Sequence, residues 1–137
     1  MPITLTSVSL EDAQRVMAAG QDKAADIESP SNIAVVDAAG NLVSHIRMDN
    51  AWLGSVDISI NKAFTARAFD IATKDLAESA QPGGQFFAIQ GSNQGRVMIF
   101  VGGIPLRHDG IVVGAVGVSG GSGEQDQAVA EAAAAAF

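Results

Sequence analysis

His45, Arg47 and Asp49 alternate along one stretch of the chain, and Lys62 follows soon after. In extended backbone the two-residue period puts His45, Arg47 and Asp49 on one face. A guanidinium there can grip a carboxylate through two parallel hydrogen bonds, whereas a lysine supplies a point charge or, once desolvated, a base. Lys62 and His45 are therefore the candidate catalytic pair, with Arg47 and Asp49 as candidate ligand-binding residues. The competing reading is a surface Arg47–Asp49 ion pair and a solvated Lys62. His45 and His108 are the only histidines, so they alone offer an imidazole for proton transfer near neutral pH or for ligation of iron. His108 sits beside Asp109-Gly110 and reads as part of a turn, which leaves His45 as the preferred imidazole.

A second constellation is Ser119-Gly120-Gly121-Ser122-Gly123, between an apolar run and a helix-forming segment. Ser119, Gly120 and Gly121 are candidate contacts there, because exposed N–H groups at a helix start favour a carboxylate or phosphate. A sharp reversal uses the same residues, and the glycine spacing matches neither a P-loop nor a dinucleotide fingerprint. Gly117, like Gly114, lets another group approach the backbone closely. No His-x-x-x-His, Glu-x-x-His or paired-carboxylate spacing points to a metal centre, and no Gly-x-Ser-x-Gly elbow points to a serine hydrolase.

These side chains need a scaffold. Ser9 caps a helix over 10–27, with Ala13, Val16, Met17, Gly20, Ala24 and Ile27 as its apolar stripe and Pro30 beyond its end. A hairpin follows, 33–38 and 42–48, reversed at Ala39-Gly40-Asn41. In its second strand Leu42, Ser44, Ile46 and Met48 are expected on one face, and Val43, His45, Arg47 and Asp49 on the other. Ser55 caps a helix to Phe69, Thr73 caps a short one over 74–79, and Gln81-Pro82-Gly83-Gly84 stops it. Strands are expected at 85–90, 96–102 and 111–118, with turns between them, then a helix over 124–137. The order α-β-β-α-α-β-β-β-α describes one α+β domain spanning 1–137, with a five-stranded antiparallel sheet flanked by helices. Ile111–Val118 reads as a central strand covered on both faces.

Composition narrows the function. The 137 residues are 47% hydrophobic and 17% charged, enough for a packed core. A net charge of −7 with eight dispersed basic residues repels a nucleic-acid backbone. The absence of cysteine excludes disulfides, thiolate nucleophiles and iron–sulfur ligation. No apolar run reaches the roughly 20 residues of a membrane helix, and Met1–Leu10 lacks the pattern of a secretory signal. The expectation is a cytoplasmic protein that partners neither membrane nor nucleic acid.

The Val36–Val43 segment, Arg47-Met48-Asp49-Asn50-Ala51, Lys62-Ala63-Phe64-Thr65-Ala66, Gly102-Gly103-Ile104-Pro105, and Gly114–Gly121 with Gln125-Asp126 appear in sequence. Together they resemble the GlcG/HbpS/PduO C-terminal family over nearly the whole chain. The resemblance implies a profilin-like fold, homo-oligomers, and haem binding in several members. It adds Thr65, Gly103 and Pro105 to the candidate ligand contacts. In the PduO relatives a histidine on the first helix holds the haem, and helix 10–27 here contains none. Met17 and Met48 are soft alternatives, though methionines at apolar spacing ordinarily fill cores. The resemblance favours a haem- or tetrapyrrole-binding protein. Two alternatives are a cofactor-free enzyme acting on a small organic acid, in which Arg47 and the 119–123 loop orient a carboxylate while Lys62 or His45 moves a proton, and a non-catalytic assembly module.

Overall fold

The computed structural model describes all residues, 1–137. Helix α1 (Leu10–Asp26) is followed by strands β1 (Asn32–Asp37) and β2 (Leu42–Arg47), helices α2 (Ser55–Phe69) and α3 (Thr73–Ser79), strands β3 (Gly103–His108) and β4 (Ile111–Ser119), and helix α4 (Gly123–Ala135). The sheet is antiparallel with order β2-β1-β4-β3. It has four strands, not the five expected. Residues 85–90 and 96–102 form no strand: short 3-10 turns at Ile89–Gly91 and Asn93–Gly95 occupy this stretch. The third strand instead lies at Gly103–His108, where the sequence suggested turns.

β1 and β4 form the centre and are buried almost throughout. On one sheet face Ile33, Val35, Val116 and Val118 pack with Val16, Met17, Val129 and Ala133 of α1 and α4. Each such valine, isoleucine or methionine contributes about 1.5–3 kcal/mol by leaving water. On the other face Ala34, Val36 and Ala115 meet Ala63 and Ala66 of α2. Small residues dominate here because α2 lies almost on the backbone. A Cβ on Gly117 would overlap the Ser59 carbonyl oxygen and the Ala63 amide nitrogen, and one on Gly103 would come 2.6 Å from the Lys62 carbonyl oxygen.

The expected face assignment of β2 changes at a bulge. Val35 pairs with Ser44 but Val36 pairs with Leu42, so Val43 is the extra residue. Val43 consequently packs on the α1 side, where Ile46 also lies, and Leu42 shares the α2 side with His45 and Arg47. Ser9 caps α1 in a reciprocal capping box with Asp12, and Ser122 does the same for α4 with Gln125. Ser55 and Thr73 are not caps. The Ser55 hydroxyl accepts a hydrogen bond from Ser119 Oγ at 3.1 Å, and Thr73 Oγ1 accepts from the Gly103 N–H at 2.9 Å, tying α3 to β3.

Candidate functional site

Cross-strand register places Arg47, Asn32 and Ser119 in one row across β2, β1 and β4, on the face toward α2. His45 stands in the next row, opposite Ala34. Asn32 is fully buried; its Nδ2 donates to the Trp52 carbonyl at 3.0 Å, while its Oδ1 has no partner. The His45 Nε2 is also buried without a partner. An unpaired buried polar atom typically costs about 1–3 kcal/mol, so two of them on one face are an exception that calls for a reason. Arg47 and Asp49 are exposed and form no ion pair with each other. Burial, and secondarily the Arg47 charge, lower the His45 pKa below its ordinary 6.5 and favour a neutral ring.

That shift has a sign. The unfolded chain holds more protons than the folded one between the lowered value and 6.5, so the stabilisation is complete above that range and is lost as pH falls through the folded-state value. Urea unfolding followed from about pH 7.5 to 5 should show falling stability, with a shallower slope in His45→Gln. An unchanged slope in that variant would assign the effect elsewhere.

Lys62 occupies a separate cluster. It is fully buried, and its Nζ donates to the Val118 carbonyl at 2.8 Å and to Asp126 Oδ2 at 3.1 Å, with the Phe100 ring centroid 4.6 Å away. Burial pushes the ammonium below the usual lysine range, opposed by the Asp126 charge and hydrogen bond. Asp126 Oδ1 in turn accepts from the Gly121 N–H at 2.9 Å, and Gln125 Oε1 from the Ser122 N–H at 2.9 Å. Two N–H groups of the glycine loop are thus engaged by side chains of the helix they precede.

The other candidates serve the close approach of α2. Thr65 Oγ1 donates to the Asn61 carbonyl and accepts from the Met98 N–H, pinning the chain after the 3-10 turns. Pro105 pairs with Ala115, and Gly103 and Gly117 admit the α2 backbone. Gly120 packs against the Pro30 carbonyl. His108 is exposed at the β3–β4 turn, 3.5 Å from Asp109 and remote in the sheet from His45. Met17 lies on the opposite sheet face from His45, so the two cannot flank one iron. No helix is long and apolar enough to cross a membrane, and no three His, Cys, Asp or Glu side chains gather as a metal site.

Sequence reasoning missed Asn32 and Asp126 as site residues. Asn32 precedes the apolar run by one position, so the run's pattern places it outside the strand, whereas β1 begins with it. Asp126 is legible in sequence only as part of the Gln125-Asp126 motif, because its partner lies far away along the chain.

Residues 8–135 match the model of the family described as haem degrading protein HbpS-like. A 15.0 kDa Citrobacter freundii protein of the dhaT-dhaS intergenic region is 42% identical over 129 residues, 94% of this chain and 91% of that one. The crystal structure of Klebsiella pneumoniae ORFY superposes with a TM-score of 0.96 at 40% identity, covering 99% of this chain and 94% of that one. The crystal structure of a PduOC–haem complex superposes with a TM-score of 0.91 at 37% identity, covering 95% and 94%.

Proposed function

Because the chain belongs to the HbpS-like family, we propose that it is a haem-binding protein and that His45 supplies the imidazole. The observation that carries the reading is the near-complete likeness to a chain solved with haem. The residues present fit the group. Burial favours the neutral His45 ring, its Nε2 has no hydrogen-bond partner to give up, and rotation of the side chain would expose that nitrogen to iron. Leu42 on the same strand, with Trp52 and Leu53 after it, exposes the apolar surface that a porphyrin would cover, and the unpaired Arg47 is a cation for a propionate. Bound haem would supply its own redox and oxygen chemistry; the chain would hold the macrocycle and keep the ligating ring deprotonated.

Titration of the protein with hemin should give a saturable, shifted Soret band, displaced again in His45→Ala and unchanged in Met17→Leu. No shift at stoichiometric protein would end the reading, and a wild-type spectrum in His45→Ala would move the ligand elsewhere. The organic-acid alternative gains less from the geometry, because every side-chain contact of Lys62 is internal. Self-association belongs to the same proposal: Phe86, Phe87, Phe100 and Ile111 are large apolar side chains left in water by one copy.

A further inference from the structure

A cleft of about 500 Å³ separates the end of α1, the turn after β2 and the start of α4. Glu28, Ser29, Asn50, Trp52 and Gln125 line it, together with the glycine loop, and no lysine, arginine or histidine does. Trp52 is 65% exposed. The Glu28 carboxylate, the Ser29 hydroxyl, the Asn50 amide and the Trp52 indole N–H make no hydrogen bond within the chain, and Gln125 uses only its Oε1, leaving Nε2 free. Glu28 takes left-handed backbone, φ 54°, just past the end of α1, its N–H and that of Ser29 bonding back to the Ala25 and Ala24 carbonyls, and Asn50 takes it in the turn after β2, φ 68°. The floor is bare main chain: a Cβ on Gly120 would lie 2.6 Å from the Pro30 carbonyl oxygen, and one on Gly121 2.6 Å from Ser29 Oγ.

We propose that this cleft binds a neutral polyhydroxylated molecule, a sugar or cyclic polyol. Its C–H face would lie against the electron-rich indole of Trp52, and its hydroxyls would bridge Glu28, Ser29, Asn50 and Gln125. A hydroxyl both donates and accepts, which matches a wall that mixes amide, hydroxyl and carboxylate groups. An anionic ligand is disfavoured, since Glu28 would repel it and no cation would receive it. A cation would engage Glu28 and Trp52 but leave both amides and the serine unpaired. The volume falls within the ordinary range for small-molecule sites. Trp52 alone is shared with the surface assigned to haem; Glu28, Ser29, Asn50 and Gln125 take no part there, so substitutions at Asn50 and Gln125 test this site separately from that reading.

Trp52 is the sole tryptophan and the chain has no tyrosine, so tryptophan emission reports on this cleft directly. The full chain would be titrated with D-glucose, D-galactose and myo-inositol to about 100 mM, enough to saturate a millimolar site. At least one should give a saturable, salt-insensitive change, weakened about fivefold or more in Asn50→Gly and in Gln125→Glu. Asn50→Gly preserves the positive φ and Gln125→Glu preserves the acceptor for Ser122, so both should fold, as thermal melts would verify. Three results would overturn the proposal. One is no saturable change with any of the three; another is a response to tetramethylammonium that Glu28→Gln removes, making the cleft a cation site. The third is an emission shift on dilution without sugar, making it a contact between copies.

Discussion

Asp126→Ala is expected to destabilise the fold by about 3–5 kcal/mol, among the largest effects of any single substitution in this chain. The substitution strips the fully buried Lys62 ammonium of its only carboxylate and the Gly121 N–H of its acceptor. An uncompensated charge at that depth is far more costly than the intact pair is favourable, because desolvation is already borne while the attraction is lost. Asp126→Asn separates the two losses, since it keeps an acceptor for Gly121 and removes only the charge. The double variant Lys62→Met/Asp126→Asn should recover most of the lost stability, as no charge is left buried. Urea denaturation of the wild type, Lys62→Met, Asp126→Asn and the double variant gives the coupling energy directly. A loss below about 1 kcal/mol in Asp126→Ala would mean that Lys62 escapes to solvent or is neutral when folded.

Gly117→Val should be comparably damaging, by about 3 kcal/mol or more. The new side chain would occupy the space held by the Ser59 carbonyl and the Ala63 backbone, so α2 must lift off β4 or β4 must bend. Neither element yields cheaply: α2 is pinned through Lys62, and β4 is hydrogen-bonded on both edges. Gly54→Ala is the matched control, because a Cβ there meets nothing within 4 Å. Near-equal melting temperatures for the two variants would show that the close approach of α2 is not a packing constraint.

The helices were legible because their signals are local. The Ser9 cap, the apolar stripe of α1 and the stop at Pro30 all lie within a few residues of the helix they define. The first hairpin was equally plain, and the all-apolar character of 111–118 correctly marked a central strand. The miscounted strands fail for a physical reason. Residues 85–90 and 96–102 have strand-like composition, yet their aromatic side chains remain largely exposed, and no neighbouring edge pairs with them. β3 was concealed because it opens with glycine, carries Pro105 and ends in Arg107 and His108, a composition that only an edge strand tolerates. Alternation alone put His45 and Arg47 on one face of a strand, as the register of β2 has them. The Lys62–Asp126 pair was not legible, since only the tertiary fold brings these residues together.

The strand order has a temporal consequence. β1 is fully apolar on its inner positions and borders β2, which is made immediately after it, but its other edge must wait for β4. Asn32 pairs with Ser119, so the central ladder closes only once residue 119 has left the ribosome. Until then one edge of this buried, apolar strand stands open to water and to other nascent chains. Closure of so long a loop should make the β1–β4 pairing a late and comparatively slow event, and the β1 edge the place where misassembly begins.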